Sequence, residues 1–106
     1  MQTDPNDTQE LSAEIVALLD SPAGGDGSPS LSALEDTLTT GYARALALEA
    51  ERARLERGLM GSSGDDLAVL RGRLDDVQLS LAELRRLLIP LRSRARAARA
   101  LSSSWQ

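Results

Sequence analysis

The 106 residues contain no cysteine, histidine, lysine or phenylalanine, and Tyr42 and Trp105 are the only aromatics. Without cysteine there is no disulfide, thiolate nucleophile or thiolate zinc ligand, and without histidine the usual metal ligand and general base are also missing. The adjacent acids Asp65-Asp66 and Asp75-Asp76 diverge on a helix, where neighbours point about 100° apart, so neither pair can share a proton or a metal. Gly61-Ser62-Ser63-Gly64 is turn material and lacks the pattern of a phosphate loop. These absences predict a protein that is not an enzyme and that holds no metal and no cofactor. No apolar run approaches the roughly 18 residues that a membrane span requires. The opening MQTDPNDTQE lacks the basic-then-apolar order of a signal peptide, so a cytoplasmic location is expected. All twelve basic residues are arginine. Their scatter over many surface positions fits the codon bias of a GC-rich genome better than selection for phosphate contacts.

What the chain has in quantity is leucine and alanine, both strong helix formers. Leu67, Leu70, Leu74, Val77, Leu81, Leu84, Leu88 and Leu91 follow one another alternately three and four apart, as do Leu31, Leu34, Leu38, Gly41, Ala45, Leu48, Arg52, Leu55 and Leu59. Two helices are expected, over 31–60 and 65–100, joined by a turn at 61–64. Ser28 before Pro29, or Ser32 with Glu35, would start the first. Gly61 in the left-handed conformation would end it, and Ser63 would cap the second. Pro90 would kink the second helix without stopping it, because the apolar beat continues in phase beyond it.

A short turn folds the two helices back on each other, and one register satisfies every seam position. It places Leu59 opposite Leu70, Leu48 opposite Leu81, Gly41 opposite Leu88 and Leu31 opposite Ala98. In that register the flanking positions set Glu56 against Arg71, Glu49 against Gln78, Tyr42 against Arg85 and Glu35 against Arg92, with no like charges meeting. The expected fold is therefore all-α: an antiparallel coiled-coil helical hairpin, open to four-helix-bundle formation on dimerisation. Arg52 interrupts the apolar beat and is read as snorkelling to Glu49 or Glu56.

Residues 1–30 are rich in Asp, Ser, Gly and Pro and read as an acidic flexible arm. It carries a short amphipathic helix near 8–20, capped by Asp7 with Glu10 and stopped at Asp20-Ser21-Pro22. Ser21 to Pro29 reads as a linker, and residues 101–106 as a disordered tail. On this reading, removal of residues 1–30 leaves the hairpin nearly as stable as before.

Two sets of residues are candidates for function. Leu11, Ile15, Leu18 and Leu19 form an apolar face suited to docking in a groove of a protein partner or on the chain's own hairpin. Arg85, Arg92, Arg96 and Arg99 lie in a stretch with no acid after Glu83 and could meet nucleic acid or an anionic surface. Residues 1–66 carry a net −9 and residues 67–106 a net +5, which together give the chain's −4. Overall acidity and the lack of stacking aromatics disfavour nucleic acid. Leu46, Val69, Leu79 and Ile89 fall outside the seam and offer a second face for another hairpin or for the 8–20 helix. The expected function is a coiled-coil protein-interaction module, an adaptor, scaffold or chaperone-like protein that binds a protein partner or a second copy of itself.

Overall fold

A computed structural model describes residues 5–22 and 27–103. The chain is all-helical: α1 spans Pro5–Asp20, α2 Leu31–Met60 and α3 Asp65–Ser103, with no strand among the described residues. The 39 residues of α3 make a rod of about 58 Å at about 1.5 Å per residue. That rod sets the 61 Å long axis of a molecule 21 Å across in the other two directions.

The ends of the helices follow local chemistry. Ser30 is extended, and its hydroxyl accepts the N–H of Ala33 at 3.0 Å, so it caps α2 in place of the expected Ser28 or Ser32. Gly61 does not turn left-handed: its φ is −104°, and its N–H reaches back to the Gly58 carbonyl at 3.2 Å. This three-residue bond, repeated from Ser62 N–H to the Leu59 carbonyl at 3.3 Å, tightens the last turn without reversing its hand. The reversal falls on Gly64, with φ +65°, whose carbonyl accepts from Ala68 N–H, so Gly64 and not Ser63 precedes the first turn of α3. The proline ring at Pro90 supplies no N–H to the Arg86 carbonyl. Both residues are exposed, where water can serve that carbonyl, and α3 runs through unbroken. The helix also passes the expected end near residue 100 and takes in Ser102 and Ser103, since Ala100 and Leu101 both favour helix. Trp105 and the rest of the expected tail beyond Ser103, like residues 23–26 of the expected linker and the first four residues, lie outside the described residues.

The buried apolar residues of α2 and α3 are all seam residues: Leu34, Ala45, Leu48 and Leu55 on one helix, Val77, Leu81, Leu84, Leu88, Leu91 and Ala95 on the other. A methyl group built on Gly41 would stand 2.5 Å from Leu88 Cδ2, so a larger residue there would require the Leu88 side chain to move. Near the turn, a methyl on Gly58 would sit 3.5 Å from Leu70 Cδ1, an ordinary contact. At the far end Glu35 pairs with Arg99. α3 residue numbers fall as α2 numbers rise, so the two helices run in opposite directions along their contact.

Burial is uneven along this contact, for a geometric reason. Two helices with one apolar stripe each leave every layer open at both sides. Leu59, Leu70 and Leu74, toward the turn, are half-buried, whereas Leu84 and Leu91, further along, are fully enclosed. The difference comes from α1, which lies mainly on α3 and also touches α2. Its Leu11 and Ile15 are buried in the same apolar cluster, and Leu18 and Leu19 are half-buried against it. Of the two seats that the sequence left open for this helix, its own hairpin or another protein, α1 takes the one on its own chain, with Leu11 and Ile15 in the core. It also reaches back to Pro5, beyond the expected position near 8. Asp7 then lies within α1.

Truncating an enclosed leucine leaves a cavity, whereas truncating an exposed one leaves little. Leu84→Ala is therefore expected to cost about 2–5 kcal/mol and Leu79→Ala less than about 0.5 kcal/mol. Urea denaturation monitored by helical circular dichroism measures both.

Candidate functional site

α3 presents different chemistry on its two flanks. Arg85, Arg92 and Arg99 recur every seven residues on one side, and Leu87 and Arg94 do so on the other. The two stripes are two residues apart, about 200° around the helix, so they face away from each other across the seam.

The stripe of Arg94 receives α1. No basic residue lies in the last turn of α1, so its terminal carbonyls depend on a donor from elsewhere. Arg94 is that donor. One guanidinium nitrogen, Nη1, donates to the carbonyls of Leu18 at 2.6 Å and Leu19 at 2.7 Å, and Nη2 donates to Pro22 at 2.6 Å and to Ser21. A fixed fork of donors against the negative end of a helix dipole is a charge-assisted contact stronger than a neutral hydrogen bond. Ser21 adds its hydroxyl to the Ala17 carbonyl at 2.8 Å. Arg94 was not singled out from the sequence. The signal that could have found it is the lack of any C-terminal cap within the 8–20 helix, set beside an arginine on the seam's flank. The opposite edge of the α1 seat is less well matched, since Thr8 and Ser12 are buried and Thr8 Oγ1 has no hydrogen-bond partner.

The other stripe carries the ion pairs, and they differ from the expected set. Arg85 pairs with Glu49 instead of standing opposite Tyr42, Arg99 in place of Arg92 pairs with Glu35, and Glu56 pairs within its own helix with Arg52 at 3.4 Å. The cause is the lean of helical side chains toward their own N-terminus. In oppositely directed helices, a glutamate on α2 and an arginine on α3 lean toward each other when the glutamate lies further along α2. They therefore meet one step beyond the directly opposed position. These exposed pairs contribute little to stability and mostly set how the helices align.

Between those pairs lies an open-sided groove of about 480 Å³ lined by Tyr42, Ala45, Leu46, Glu49, Arg85, Leu88, Ile89 and Arg92. Its apolar wall is exposed: Leu46 retains 66% and Ile89 70% of its accessible surface. Of the four candidate anion-binding arginines, Arg85 and Arg99 hold carboxylates, Arg92 lines the groove, and Arg96 is exposed. The structure does not bring the four together as one cluster. Nor are the apolar residues expected to dock on a partner a free surface: Leu11 and Ile15 are enclosed, with Leu18 and Leu19 beside them. Leu46 and Ile89 do come together, while Val69 and Leu79 stay exposed outside the groove.

Among the described residues no three carboxylates converge in a manner suited to a metal ion, and no helix is long and apolar enough to cross a membrane. The chain matches no protein-family model, no curated protein and no solved structure.

Arg94→Gln removes the charge and half of the donor fork, and should weaken the α1 seat by about 1–3 kcal/mol. Limited proteolysis is expected to cut within residues 5–22 about tenfold faster or more, with α2 and α3 still resistant. Thr8→Val removes a buried hydroxyl that has no partner and should stabilise the protein by about 1 kcal/mol, read as a higher urea midpoint.

Proposed function

We propose that this chain is a non-enzymatic coiled-coil interaction module, in which α2 and α3 form an antiparallel coiled-coil hairpin, α1 covers one flank, and the other flank receives a protein. The carrying observation is the groove beside Tyr42, Leu46, Leu88 and Ile89. It brings the exposed Tyr42, Leu46 and Ile89 together at one place, and contiguous exposed apolar surface marks interaction sites. Adaptor, scaffold and chaperone-like roles share this requirement, and a second copy of the chain completing a four-helix bundle would use the same face. The arrangement supports this reading over an anion-binding one because Arg85 and Arg99 are already engaged by Glu49 and Glu35. A phosphate would have to displace those carboxylates.

Leu46→Asp with Ile89→Asp alters only exposed positions and should leave helicity unchanged and stability within about 1 kcal/mol. A tagged chain is expected to retain a defined protein after nuclease treatment and at raised salt, and the double variant to lose it. Loss of all bound material on nuclease treatment, or a steep fall in binding between about 50 and 200 mM salt, would favour the arginine-rich end of α3 as the functional surface.

A further inference from the structure

The molecule already shows what one flank of α3 holds. α1 carries Asp7, Glu10, Glu14 and Asp20 with no basic residue, buries Leu11 and Ile15, and rests its last carbonyls on Arg94. It is an acidic amphipathic helix on a basic one. After Glu83 the chain has six arginines and no acid, so both flanks of this half of α3 share the same sign of charge.

The open flank offers elements of the same kind, apolar surface beside arginine, although on the occupied flank Arg94 meets backbone carbonyls and not a carboxylate. Leu88, Ile89, Leu46, Ala45 and Tyr42 supply apolar surface, and Arg85 and Arg92 supply positive charge. Glu49 is held by Arg85. Among the described residues no carboxylate pairs with Arg92. The groove thus has apolar walls, one neutralised arginine and one arginine whose charge is not matched.

We propose that this groove seats an acidic amphipathic helix of a partner protein, with its apolar residues between Tyr42, Leu46 and Ile89 and a carboxylate on Arg92. The inference rests on the interaction-module reading and names the partner's chemistry. Apolar burial provides the affinity, and the unmatched charge of Arg92 discriminates against basic helices, since like charges brought together across an interface are costly. The partner helix and α1 then lie on opposite sides of the seam, and both can be bound at once.

The probe is a fluorescently labelled synthetic peptide of residues 5–22, the acidic helix that the opposite flank of α3 is seen to hold, with a twin in which Glu10 and Glu14 are replaced by lysine. Both are titrated into the full chain by fluorescence anisotropy. The acidic peptide should bind, the lysine twin at least tenfold more weakly. Leu46→Asp should abolish binding and Arg92→Glu weaken it at least tenfold, while Arg94→Gln leaves it unchanged. Circular dichroism of each variant checks that the helices persist. Binding lost with Arg94→Gln but retained with Arg92→Glu would mean that the peptide takes the place of α1, and would overturn the proposal. Equal binding of both peptides would overturn its charge criterion. A full-length dimer that Leu46→Asp dissociates, with no peptide bound, would assign the groove to a second copy; the acidic-helix occupant would fall and the interaction module would stand. If a monomer binds neither peptide yet still captures a protein through Leu46, the proposal alone is wrong. If capture is absent too, the reading beneath it fails as well.

Discussion

A helix with a single narrow apolar stripe cannot enclose a core with one partner of the same kind. Seam leucines on α2 and α3 face each other, but the contact between two rods is open along both edges, and water reaches every layer from the side. The rest of the structure answers that constraint. One edge is closed by α1, which adds Leu11 and Ile15 to the buried cluster that also holds Leu84 and Leu91; the other is lined by charged pairs and left partly open at the groove. Depth of burial follows this division: residues toward the turn stay half-buried, and the enclosed residues lie further along, on the half of α3 that carries Arg94.

Arginine serves three purposes on one helix. Arg94 caps a neighbouring helix, Arg85 and Arg99 align α3 against α2, and Arg92 stands in the groove. The first is the strongest contact, because several carbonyls at a dipole's negative end meet one delocalised cation. Alignment pairs are individually weak. The groove arginine gains energetic weight only when a bound partner removes water from around it. A charge asymmetry that looks like a nucleic-acid surface in the sequence is therefore partly engaged within the protein, Arg94 by carbonyls of α1 and Arg85 and Arg99 by glutamates of α2.

The helical class and the run of seam residues were legible because periodicity is a local signal. Leu34, Leu48, Leu81 and Leu91 needed only their spacing to be placed inside. Helix ends were less legible: Ser28, Ser30 and Ser32 all suit a cap, and selection among them depends on where the first turn must start to deliver Leu34 inward. The flanking pairs were misjudged by one step because direct opposition ignores the lean of long side chains. The place of α1 was open in the sequence, since the same apolar face suits its own hairpin or another protein. The groove was visible only in part, as Leu46 and Ile89 falling outside the seam. Their nearness to Tyr42 and Arg92 depends on which edge α1 leaves uncovered.

The most direct test is native-state hydrogen exchange on the intact chain. If α1 is a working part of the core, the amides of Leu11, Ile15 and Leu18 exchange orders of magnitude more slowly than an isolated helix would, and slow further in Thr8→Val. An isolated helix of sixteen residues is marginal in water and frays freely. Exchange of those amides at the unprotected rate, with Leu84 and Leu91 still protected, would contradict the account: the seam would then be closed by something other than α1.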